Sequence, residues 1–212
     1  MKPCYGEGSM NSQITANSDS MAYTYRFAPI LELESRLKRA TGLPYCFLTG
    51  TASMAAWALM RLFAERGYIG SFHGSTWPGM QACADFAGLR TEEEPAINRV
   101  LGIWTPGSIH EESLSYTAYP KLLVDASLIF PFSNNWRTYA DFVLLSFGKG
   151  KALSAGEGGA LLFSDEAIYR ELIRRHTHTF QQERWVTVTN DAFMNISMSP
   201  LVAEKVLQDW IE

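Results

Sequence analysis

The sequence has little of what would direct it to a membrane, a nucleic acid or a disulfide scaffold. It contains no run of about 18 apolar residues, the length a helix needs to span a bilayer. The opening stretch MKPCYGEGSMNSQITANSDSM lacks the apolar centre of a secretory signal, so a cytoplasmic location is expected. Only three cysteines occur, Cys4, Cys46 and Cys83, with no CxxC spacing. An odd number in unlike contexts excludes a disulfide framework and a zinc cluster, and free thiols in a reducing compartment are expected. Basic charge is also scarce: 18 Lys and Arg stand against 22 Asp and Glu, a net charge of −4. No positive field is available to hold nucleic acid or an anionic membrane surface.

What is present suits one compact domain with a sizeable core: 212 residues, 47% of them hydrophobic. Residues 1–20 are rich in Ser, Asn and Gly, have little to bury, and are expected to be loose. From Pro29 the segment ILELESRLKRATG sets Ile30, Leu33 and Leu37 on one helical face, pairs Glu32 with Arg36 and Glu34 with Lys38, and ends at Gly42. A short apolar strand, Tyr45–Leu48, then leads through a tight turn into a helix. Its Ala52, Ala56, Leu59 and Phe63 recur at helical spacing before Gly67. Apolar runs at Tyr68–Phe72, Val100–Trp104, Leu122–Val124, Phe142–Phe147 and Ala160–Phe163 follow, most too continuous for a sheet with one wet face. Interleaved with helices, they predict an α/β fold with a mostly parallel buried sheet. Two helices finish the chain, one opening at Ser164-Asp165-Glu166 and one at Ser199-Pro200.

The segment Ser146-Phe-Gly-Lys-Gly-Lys-Ala-Leu-Ser-Ala-Gly-Glu-Gly-Gly159 stands between two of these strands. A lysine used as a nucleophile must lie close to low-dielectric surroundings to lose its proton, and neighbouring glycines let backbone approach a planar ligand. On composition alone the segment reads equally as a solvated loop with two ordinary lysines, Lys149 and Lys151. Asp125 closes an apolar strand, where a turn aspartate is also common, and Leu48-Thr-Gly-Thr-Ala-Ser-Met54 is a strand-to-helix turn whose amides suit an anion. His176 and His178, two apart on one helix, do not share a face and read as C-terminal cations or pocket-rim residues rather than metal ligands. Arg26 reads as a surface arginine or a contact to a neighbouring subunit.

The pattern S-F-x-x-x-K-x-L-x-x-G-E-G-G resembles the Schiff-base lysine motif of the DegT/DnrJ/StrS family of sugar aminotransferases, which use pyridoxal 5′-phosphate (PLP). It falls on Lys151. The resemblance implies the large domain of fold type I, the aspartate-aminotransferase-like architecture. It also implies a catalytic Lys151 holding PLP as a Schiff base and an Asp125 paired with the pyridine nitrogen, so that the ring acts as an electron sink. Gly50, Thr51 and Ala52, in a TGTA stretch similar to the family's SGTA, would bind the phosphate together with Ser146. Trp77, in Ser75-Thr-Trp-Pro, would stack on the ring, its alternative being a core tryptophan. Asn195, in a stretch similar to the family's N-x-R-M-S, would reach the phosphate of a neighbouring subunit in a homodimer, its alternative being an ordinary loop residue.

Such a protein would move an amino group from a glutamate-like amino acid to a nucleotide-linked keto-sugar or similar carbonyl acceptor. The alternatives are a PLP enzyme of another reaction type and a PLP-binding subunit that is inactive or needs a partner. The chain departs from the family at four places, one of them a short connection between Trp104 and Asp125. Leu128 stands where Gln or His lies near the cofactor's ring oxygen, Ser197 replaces an arginine, and the smaller C-terminal domain is not in the sequence. Residues 21–212 are accordingly expected to form the PLP-binding large domain alone.

Overall fold

A computed structural model describes residues 28–73, 76–93, 95, 98–106, 119–128, 140–176 and 196–210. The residues expected to be loose, 1–20, lie outside that set, as do His178 and Asn195. Among the described residues no helix is long and apolar enough to cross a membrane, and no group of His, Cys, Asp and Glu is disposed to hold a metal ion.

Helix α1 (Ala28–Thr41) precedes strand β1 (Tyr45–Thr49), and α2 (Ala52–Glu65) leads to β2 (Ile69–His73). Helix α3 (Pro78–Ala87) comes before β3 (Val100–Trp104), β4 (Lys121–Asp125), β5 (Phe142–Ser146) and β6 (Gly159–Phe163). Helices α4 (Glu166–His176) and α5 (Pro200–Gln208) close the described chain. Each apolar run read from the sequence became a strand, and α1 and α2 end at left-handed glycines, Gly42 at φ 69° and Gly67 at φ 73°. Helix α4 is capped by Asp165 rather than Ser164, since Asp165 Oδ1 accepts from the Ile168 amide at 3.1 Å.

The six strands form one sheet in the order β1-β6-β5-β4-β3-β2. Strands β2 to β5 pair in parallel, and β6 runs antiparallel to both of its neighbours. Strand β1 therefore points the same way as β2 to β5. Alternate residues serve two cores. Phe47, Ile103, Leu123, Leu144 and Leu161 face α2, α3 and α4, whereas Leu48, Trp104, Val124, Leu145 and Leu162 face α1 and α5. Both faces of the sheet are covered, which is why its strands read as continuous apolar runs.

Glu34 is buried on α1. One expectation changed on folding. His176, read as a cation or rim residue, is 3% exposed and packs edge-on to Trp57, 5.4 Å between ring centres. The α4 face that carries it turns inward with Ile168 and Leu172, and helical spacing takes His176 along with them.

Helix α4 is clasped to the end of α2 by charge. Arg175 donates from Nε to Glu171 Oε1 at 2.7 Å and from Nη1 to Glu65. The Arg174 hydrogen bond, aided by Arg175 and opposed by partial burial, holds the Glu171 carboxyl at about 2 against an ordinary value of 4.5. A lowered folded-state value means that the stabilisation is complete above pH 4.5 and is lost as pH falls toward about 2. Glu171→Gln is expected to cost less than about 1 kcal/mol at pH 7. It should also flatten the acid limb of stability in that window, as read from urea melts at a series of pH values; an unchanged limb would remove Glu171 from the account.

Candidate active site at the carboxyl edge of the sheet

Strands β1 to β5 all end at one edge of the sheet, where open α/β folds bind ligands. Because β6 is antiparallel, it starts at that same edge. Gly159 pairs with Thr49 on one side and Ser146 on the other, bringing the turn after β1 and the loop after β5 together around one glycine. The approach is close enough to demand it: a Cβ on Gly159 would lie 2.5 Å from Ala52 Cα. The neighbouring Gly158, at φ 103°, donates its amide to the Gly50 carbonyl at 2.8 Å.

Thr51 caps α2, its Oγ1 accepting from the Met54 amide at 3.2 Å. The first-turn amides of Ala52 and Ser53 have no intrahelical acceptor and mark the positive end of a 14-residue helix. Gly50 is committed elsewhere, donating its amide to the Ile196 carbonyl at 2.8 Å. That bond draws the segment immediately after Asn195 to this edge, and Ser197, exposed, bridges to Thr49.

Lys151 lies on the loop between β5 and β6, and the loop is pinned. Gly148 bridges to Gly156, the Lys151 amide donates to the Gly148 carbonyl at 3.2 Å, and Ser154 Oγ donates to the same carbonyl at 3.3 Å. Phe147, Leu153 and Ala155 anchor it in the core beneath α1 and α5. Lys151 is half-buried and Lys149 is exposed, which sets the two lysines of the motif apart. Ser146 ends β5, its Oγ accepting from the Gly148 amide at 3.2 Å.

Asp125 is the last residue of β4, two strands from β6, and is 6% exposed. Its Oδ1 accepts from the Ser127 amide at 3.1 Å, which fixes the carboxylate at the strand end. Strand alternation puts it on the side of Leu123, toward α2 and α3. Cys83 of α3 is buried there. Its thiol donates to the Ser53 carbonyl at 3.5 Å, and burial pushes its acidity down further than the nearby Asp125 carboxylate does. Trp77 stands at the start of α3, 55% exposed, so it is not the core tryptophan that its composition allowed. Leu128 is 66% exposed just beyond Asp125.

Sequence reading passed over Thr105 and Cys83. Thr105, one residue past β3, is 8% exposed, and its Oγ1 has no hydrogen-bond partner among the described residues. Nothing in the sequence marked it, because its proximity to Asp125 depends on strand register.

The segment that holds Ser146, Lys151 and the GEGG run carries the decisive likeness. Residues 135–207 match the model of the DegT/DnrJ/EryC1/StrS aminotransferase family. The resemblance drawn from the motif is thus borne out over that segment. No curated protein sequence matches the chain. Solved structures share its fold, the large-domain architecture of fold type I. Helicobacter pylori PseC, an aminotransferase involved in the biosynthesis of pseudoaminic acid, aligns with a TM-score of 0.68 at 15% identity over 87% of this chain and 57% of its own. The PLP-form of the sugar aminotransferase Spr1654 from Streptococcus pneumoniae gives 0.68 at 15% identity, over 91% and 60%. DesI, solved in the presence of its TDP-sugar product, gives 0.62 at 18% identity, over 85% and 52%. The chain spans a little over half the length of these enzymes.

Gly159→Ala is expected to force the start of α2 away from β6. Urea unfolding should show a loss of about 1–3 kcal/mol, the usual cost of overpacking, whereas a loss under about 0.5 kcal/mol would mean that the turn yields freely.

Proposed function

We propose that this chain is the cofactor-binding domain of a PLP-dependent aminotransferase acting on a sugar-like carbonyl compound, with Lys151 as the residue that binds the cofactor covalently. The observation that carries the reading is the pinned, half-buried Lys151 loop. It shares one sheet edge with the first-turn amides of an anion-suited helix start and with a buried carboxylate two strands away. Those features fit an aromatic phosphate. The Ala52 and Ser53 amides with Thr51 would take the phosphate, Ser146 would border it, Asp125 would face a protonated ring nitrogen, and Trp77 would cover the ring. The unpartnered hydroxyl of Thr105 leaves a polar group at the same edge for a ligand to satisfy.

When bound, the cofactor supplies an electron sink for the carbon that loses and gains a proton. Lys151 Nζ would hold the cofactor and would take and return the proton at that carbon. Asp125, its carboxylate fixed by the Ser127 amide, would stand opposite the ring nitrogen. Burial at the end of β4 keeps water from screening that pair. A glutamate-like donor and a nucleotide-linked keto-sugar acceptor are the substrates supported by the family match over residues 135–207 and by the TDP-sugar product of DesI. We further propose a homodimer, in which Asn195, outside the described residues, reaches the partner's phosphate site.

Borohydride treatment of the protein incubated with PLP, followed by peptide mapping, is expected to find the pyridoxyl group on Lys151. A label on Lys149, or none, would overturn the assignment. Lys151→Ala should abolish labelling and slow the half-reaction with glutamate by about 10²–10⁴-fold; turnover at the wild-type rate would exclude Lys151 as the acid–base group. Light scattering of the cofactor-loaded protein should give twice the mass of one chain, and a monomer that still holds PLP would exclude the intersubunit role of Asn195.

A further inference from the structure

Two buried side-chain atoms among the described residues have no hydrogen-bond partner, His73 Nε2 and Thr105 Oγ1. They lie on opposite faces of the sheet. His73 is in register with Trp104 and Val124, on the α1 and α5 side, and its ring stands 4.8 Å from that of Tyr119. Thr105 comes one residue later, so alternation returns it to the side of Ile103 and Leu123, which faces α2 and α3. The register Trp104↔Val124 sets Thr105 beside Asp125 on the adjacent strand, about 4.8 Å away in the pairing direction. A buried hydroxyl in such a position is unfavourable unless something binds there.

Strand order says which part of a ligand it meets. Across the carboxyl edge, the helix start after β1, the beginning of β6 and Ser146 of β5 come first, then Asp125 of β4, then Thr105 after β3. On the pyridine ring of PLP the phosphate arm and the ring oxygen lie on opposite sides of the line from the ring nitrogen to the carbon that Lys151 attacks. With the phosphate at β1, β6 and β5 and the nitrogen at β4, the edge that faces β3 carries a methyl group and the ring oxygen. A methyl group needs no hydrogen bond, and the oxygen does. Leu128, just past Asp125, has no polar side-chain atom to offer and is largely exposed.

We propose that the Thr105 hydroxyl is the hydrogen-bonding partner of the cofactor's ring oxygen, the contact for which Leu128 has no polar atom. This inference rests on the PLP site proposed above. Thr105 thereby sets the tilt of the ring against Asp125 and the electron density at the oxygen beside the reacting carbon.

The test titrates wild type, Thr105→Val and Thr105→Ser with PLP and with its 3-O-methyl analogue, following absorbance and tryptophan fluorescence. Thr105→Val is expected to weaken PLP binding about tenfold and to shift the visible band of the bound cofactor, and Thr105→Ser to restore both within about twofold. With the 3-O-methyl analogue, wild type and Thr105→Val should bind alike within about twofold. Without cofactor, Thr105→Val should be at least as stable as wild type, because it removes a buried unsatisfied hydroxyl of the same shape. Equal PLP affinity of wild type and Thr105→Val, the same penalty with both ligands, or a destabilised apo variant would each overturn the proposal while leaving PLP binding intact. Failure of wild type to take up PLP would overturn both readings.

Discussion

The arrangement depends on the direction of one strand. β6 runs against its neighbours and so begins at the edge where β1 and β5 end, and its first residue is a glycine against which the backbone of α2 closes. Any side chain at Gly159 would push the α2 start outward. The first turn of α2 would then move away from the strand that follows the Lys151 loop. The same strand supplies both ends of that loop's support, because Gly158 bonds to Gly50 and Phe147 bonds back to Gly158. The glycine-rich run in the motif is therefore structural: it lets two backbone segments approach one point.

Rigidity around this point comes from the two cores rather than from the edge itself. α2, α3 and α4 close one face with Phe47, Phe63, Met80 and Phe163, and α1 and α5 close the other with Leu33, Leu37 and Val206. Asp125 and Lys151 are held from below by strands with no exposed face, and the loop side chains Leu153 and Ala155 reach down into the second core.

Elements and type of sheet were legible in the sequence because burial on both faces makes a strand a continuous apolar run and the helices carry their own caps. Lys151, Asp125 and the TGTA turn were legible because each follows a strand, and the ends of parallel strands collect at one edge. The burial of His176 was not legible. Which face of α4 turns inward depends on Trp57 of another helix, and a histidine at a helix end reads as a cation until that face is known. Trp77 was open between core and edge for the same reason, and its exposure resolves the choice in favour of the edge.

Local chemistry and hydrophobic period are properties of short segments, and the sequence by itself determined them: an α/β chain, a lysine among glycines, an anion-suited helix start and a carboxylate at a strand end. Register and strand order are not local. Only the tertiary structure decided that β6 opens at the carboxyl edge, that Lys151 rather than Lys149 is sheltered, and that the Thr105 hydroxyl is buried without a partner among the described residues. Pairing in a sheet is set by contacts between residues far apart in the chain, and a shift of one position would send every side chain on a strand to the opposite face.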